Sequence, residues 1–217
     1  MDIEESERRI NCYIKSTFQA LVQAIIPPTP CLTDTFGVVF HPGALEFKVY
    51  KYVILILNHS ISYPVKLKIN VQSMALSTAE LLDHGADQLI NTCQNVYPVN
   101  IMRFPHGGLF SKLSPIDRLR ALTLIDKLEI NTNNLKPPYQ NNPDLIRQMT
   151  AVLNQLTMFG FYSEWTGYGT TSQCPPNQRR VEYFPPGWIM SKYPGPAYAY
   201  RDFRGFLAYI THEKEKK

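Results

Sequence analysis

The stretch DHGAD brings Asp83, His84 and Asp87 close together, residue types that bind metals or move protons. A zinc site needs more ligands at helical spacing, as in two histidines one turn apart with a glutamate between them. DHGAD supplies a single histidine on a segment of helical periodicity, and a solvated helix face is its simpler reading. His41, His59, His106 and His212 are isolated in sequence, and pairing Cys174 with a distant histidine as a nucleophile has no support in the spacing. Gly167–Gly169 (GYG) lies outside the strand and helix context that a nucleotide-binding glycine loop requires. In FPHGGLFSKLSP, His106, Gly107 and Gly108 allow a tight turn before Phe110 and Leu113 return to the core. An anion could sit on that turn, but entry into the next helix is its default reading. No acid, base and nucleophile come together with readable geometry, so no catalytic, cofactor-binding or metal-binding residue is expected in this chain.

Composition narrows the remaining classes. The 217 residues are 44% hydrophobic and 18% charged, which suits a globular chain with one core and an appendage. A formal charge of +4 without a dense basic cluster argues against a nucleic-acid partner, because phosphate binding wants a clustered basic face. Cys12, Cys31, Cys93 and Cys174 are far apart; buried free thiols are the simple reading, and a pair such as Cys31 with Cys174 stays open. The longest aliphatic run, Tyr52 to Leu57, is far below the roughly 20 residues a membrane span needs. Arg8 and Arg9 could begin an export signal, but Ile10, Tyr13, Ile14, Phe18, Leu21, Val22 and Ile25 follow at helical spacing, interrupted by polar residues. A surface helix and a cytoplasmic location are therefore expected.

The elements that must position these side chains are all helical, in an irregular bundle of five or six. The first runs from about Ser6 to Ile26 and stops at Pro27 and Pro28. The second spans Gly43 or Ala44 to His59, with Leu45, Val49, Tyr52, Val53 and Ile56 on one face. The third, about Ser77 to Asn95, starts on the capping pattern STAE. In LSPIDRLRALTLIDKL, Ser114 suits the N-cap, Pro115 the first helical position and Asp117 the positive end of the dipole. Its expected buried face is Ile116, Leu119, Leu122, Ile125 and Leu128. A fifth helix spans Pro143 or Asp144 to Phe159.

Residues 1–160 thus form a helical core domain, and residues 161–217 an extended strap and tail rich in proline, glycine and aromatic residues. A strap of this length is either functional or docked on something. Its rings seal the bundle or face a partner. Tyr162, Trp165, Tyr168, Phe184, Trp188, Tyr193 and Tyr198 are the candidate interface. Trp165, Tyr168 and Trp188 lie next to or within two residues of a glycine, where the backbone can turn a ring outward. Removing the Trp188 ring is accordingly expected to leave the fold intact.

FQALVQAIIPPTP, HPGALEFKVYKYVILIL, FSKLSPIDRLRAL and LTMFGFYSEWTGYG resemble, in sequence and in order, the gluconate 2-dehydrogenase subunit 3 family. The resemblance covers roughly Thr17 to Gly169. It implies a helical, non-catalytic accessory subunit of a membrane-associated flavin dehydrogenase. The partner would be a larger FAD-containing subunit of the glucose-methanol-choline oxidoreductase type, which holds the flavin and oxidises an alcohol, sugar or sugar acid. Members often carry a twin-arginine leader, and this chain departs from that pattern at Arg8 and Arg9. The same elements also suit a free-standing helical binding or structural module with no redox partner.

Overall fold

The structure is a computed structural model that describes residues 3–59 and 73–193. It is all-α, with no strand among the described residues. Five longer helices build it: α1 (Ile3–Ile25), α2 (Val49–His59), α3 (Met74–Asn91), α4 (Pro115–Asp126) and α5 (Pro143–Tyr162). Helix α1 packs against α2, α3 and α4, while α5 lies across α2 and α4. The core between them collects Phe18, Leu21, Val53, Leu82, Leu89, Ile125, Ile146 and Leu153. Helix α1 amphipathicity places Ile14, Phe18, Leu21 and Val22 inside as expected, and only Ile10 near its start stays exposed.

Three helix starts differ from the sequence reading, the first because α1 begins at Ile3 rather than at about Ser6. Helix α3 begins one turn early, capped by Ser73, whose hydroxyl accepts from Leu76 N at 3.2 Å; Ser77 is therefore already helical. Asn58 at the end of α2 adds two more bonds to this start, accepting from the Ser73 hydroxyl at 2.9 Å and from Ala75 N at 3.1 Å. Helix α2 begins late because Lys48 adopts φ +56, a left-handed conformation that interrupts the helix at its predicted first turn. The buried residues of α2 are Val49, Tyr50, Val53 and Leu57, whereas Leu45, Tyr52 and Ile56 are only half-buried.

Helix α4 starts where the sequence places it. The Ser114 hydroxyl accepts from Asp117 N at 3.1 Å, and Pro115 fills the first turn. Its buried face is a different one, made of Asp117, Arg118, Ala121, Leu124 and Ile125. Ile116 is 54% and Leu119 43% exposed, and Leu122 and Leu128 are half-buried; of the five expected residues only Ile125 is fully enclosed. Helices α3 and α4 approach closely at Gly85, where a side-chain carbon would lie 2.5 Å from Ile125 Cδ1.

After Gly160 the chain does not become an extended strap at once. Helix α5 continues through Phe161 and Tyr162, and a 3₁₀ stretch, Glu164–Gln173, follows with a kink at Gly169 (φ 49, ψ −116). A 3₁₀ turn, Pro176–Gln178, and a non-helical run then lead to a short helix, Pro186–Met190. Phe161 belongs to the core, so the residues just past the expected boundary at 160 are part of the bundle. Cys31 and Cys93 are exposed and Cys12 and Cys174 half-buried; all four are free, which removes both the buried thiols and the Cys31–Cys174 pair from consideration. Tyr198 and the remainder of the tail lie outside the described residues. No helix among the described residues is long and apolar enough to cross a membrane.

Candidate binding surface

The surface begins with the two tryptophans, and both point inward. Trp165 is 4% and Trp188 9% exposed. Local glycines, which suggested outward rings, serve a different purpose. Gly187 brings the short helix onto the backbone of Tyr162, where a side-chain carbon would lie 2.6 Å from its Cα, and this contact carries the Trp188 ring inward. Trp165 stacks at a tilt on Tyr52, with centroids 5.1 Å apart, and the Arg179 guanidinium sits 5.6 Å from its ring centre. Tyr168 is half-buried and donates to Glu164 at 3.3 Å; burial, and then the Glu164 charge, push its phenol above the ordinary tyrosine value.

The remaining candidates among the described residues face outward. Tyr162 is 42%, Phe184 49% and Tyr193 44% exposed. Phe184 and Tyr193 each contact buried Trp188 edge to face, at 5.4 and 5.0 Å, and Tyr162 meets Phe161 the same way at 4.9 Å. Buried rings thus support exposed ones. Phe159, Tyr183 and Ile189, which were not among the sequence candidates, are also exposed on these segments.

Elsewhere in the bundle, three charged side chains brace the fold. Asp117 is fully buried and accepts from Val96 N (2.8 Å), Tyr97 N (3.1 Å) and the Ser114 hydroxyl (2.8 Å). Burial alone would raise its pKa; the three hydrogen bonds outweigh that and hold the carboxyl below its ordinary range. Arg118, also fully buried, donates to the carbonyls of Ala20, Phe110 and Ser111 and to Gln23 Oε1. Burial, helped by the nearby Arg103 charge, pushes its pKa down to about 9. Asp83 accepts from the Tyr13 hydroxyl at 2.6 Å and from Phe110 N at 2.9 Å. Burial raises both the Asp83 and the Tyr13 pKa. Gly108 has no side chain because the Asp83 carboxylate occupies that space.

His84 and Asp87, the neighbours of Asp83, line a shallow cavity with Glu80 and Lys136. Among the described residues no group of three or more His, Cys, Asp or Glu could hold a metal ion. Asp83 and Tyr13 line the same cavity, so this pair both braces the fold and borders a surface recess. Comparison with protein-family models, curated proteins and solved structures finds no match for this chain.

Proposed function

We propose that this chain is a non-catalytic binding subunit that docks on a larger protein through its outer aromatic surface. The observation that carries this reading is the support of exposed Phe184 and Tyr193 by buried Trp188. A ring already held edge-on by its own protein loses little freedom on docking, and tyrosine and other aromatic residues supply much of the energy of interfaces. The ordered resemblance of four stretches to the gluconate 2-dehydrogenase subunit 3 family supports the choice of partner. That partner is an FAD-containing dehydrogenase of the glucose-methanol-choline type, which keeps the flavin and oxidises an alcohol, sugar or sugar acid.

Phe184→Ala combined with Tyr193→Ala tests the surface directly. The double variant is expected to keep its helical circular dichroism and to lose association with the flavoprotein in an extract of the native host. Association at the wild-type level would remove this surface from the interface.

A further inference from the structure

Two cavities, of about 480 and 450 Å³, meet at Lys51 and Gln173 along the solvent side of α2. One has an aromatic lining of Phe47, Trp165 and Tyr183, the other an aliphatic lining of Ile54 and Leu55. Lys48 just before α2, Lys51 in its first turn and Lys15 from α1 stand along the joined groove. Among the described residues, none of these three lysines forms an ion pair. The other titratable groups lining it are His59, Tyr50, Tyr183 and Glu182. His59 Nδ1 contacts the Leu55 carbonyl at 2.7 Å. Glu182 accepts from Thr170 N and from the Thr170 hydroxyl, bonds that favour its ionised form and leave it as the one negative charge among these groups. Three lysines against one carboxylate leave the groove cationic, over a floor that mixes aromatic and aliphatic side chains with Thr166, Thr170, Ser172 and Gln173.

From this we infer that the groove receives an extended acidic segment of the partner protein, with carboxylates toward Lys15, Lys48 and Lys51 and apolar side chains toward Ile54, Leu55 and Trp165. The dimensions agree. Helix α2 has 11 residues, about 16 Å at roughly 1.5 Å each. An extended peptide covers that distance in about five residues at roughly 3.3 Å each. A small anion would use the lysines and leave the apolar part of the floor wet, whereas alternating acidic and apolar side chains use both. This deepens the binding-subunit reading and rests on it.

The probe is a fluorescent hexapeptide of alternating glutamate and leucine, titrated against the full chain and followed by anisotropy. Saturable binding is expected, weakened about tenfold by Lys51→Glu, because that change sets like charge against the peptide. Lys127→Glu, an exposed control on the far end of α4, should leave it unchanged. Equal weakening by the two substitutions, or equal affinity for an oligonucleotide of the same charge, would overturn the inference, since net charge would then suffice. Leu55→Ala should weaken the peptide and spare the oligonucleotide; no effect on either would also overturn it. If the peptide fails to bind while the chain still purifies with a flavoprotein, the groove assignment fails and the subunit reading stands. If the peptide binds to a chain that has no partner in its host, the groove's preference for acidic and apolar side chains stands, while the subunit reading and the assignment of a partner segment to the groove both fail.

Discussion

Asp117 and Arg118 are neighbours in the sequence, both fully buried, and they tie different parts of the molecule to α4. Asp117 holds the backbone of Val96 and Tyr97, while Arg118 closes the carbonyls of the turn at Phe110 and Ser111 onto α1. Asp117→Ala leaves two backbone donors without their acceptor, at a cost on the order of 1–3 kcal/mol for each group that water cannot reach. Urea denaturation should show the midpoint fall accordingly. Because its folded pKa is depressed, Asp117 contributes stability that is present above the ordinary carboxylate pKa and is lost as pH falls through the lowered folded value. Asp83 has the opposite sign. Its folded pKa is raised, so its contribution is greatest below the ordinary value and declines as pH rises through the raised one. Asp83→Asn keeps an acceptor for Phe110 N, so it should be tolerated at neutral pH and should flatten that decline. A stability profile as steep as wild type above the ordinary carboxylate pKa would show that another group is responsible. The sequence places Asp117 at a helix start for its charge, and the same Ser-x-x-Asp pattern also carries the reciprocal bond from Ser114 to Asp117. What it does not carry is the loop at Val96 and Tyr97, which lies about twenty residues earlier and meets Asp117 only in the fold.

Helix α4 shows how an element can be legible in extent and misread in orientation. Its cap and proline are local signals and depend on nothing beyond the first turn. The orientation depends on which side satisfies its polar groups. A repeat of every third apolar residue drifts around a helix of 3.6 residues per turn, so Ile116, Leu119 and Leu122 do not hold one face against the core. The helix instead turns Ala121, Leu124 and Ile125 inward and takes Asp117 and Arg118 with them, because both find hydrogen-bond partners there. Ile125→Ala should cost about 2–5 kcal/mol, as expected of a fully buried aliphatic residue. Leu119→Ala, at an exposed site, should stay within about 0.5 kcal/mol of wild type. Thermal or urea midpoints decide between the two faces, and a larger effect at Leu119 would restore the one read from the sequence. Ser114→Ala should cost about 0.5–2 kcal/mol through the lost cap. Gly85→Ala at the α3–α4 contact should destabilise by about 1–3 kcal/mol through overpacking against Ile125.

At the scale of the whole molecule, a helical bundle is braced by buried charge and carries its aromatic C-terminal segment on one side. The all-α class follows from periodicity along the chain and needs no knowledge of contacts. The direction of each ring in the segment does not, because burial of Trp188 depends on Gly187 meeting the backbone at Tyr162, and Trp165 depends on Tyr52 from a distant helix. Trp188→Ala consequently does not spare the fold; it removes a buried ring and should cost on the order of 3 kcal/mol. The division of labour among the rings follows: Trp165 and Trp188 hold the surface, and Tyr162, Phe184 and Tyr193 present it. The central claim, that this surface belongs to an accessory subunit of a flavin dehydrogenase, is tested most directly by isolating the tagged chain from its native host and recording the flavin absorbance and polypeptide composition of what comes with it. The account predicts a larger polypeptide in fixed proportion that carries all of the flavin. A chain that elutes alone, or one that carries the flavin itself, would contradict it.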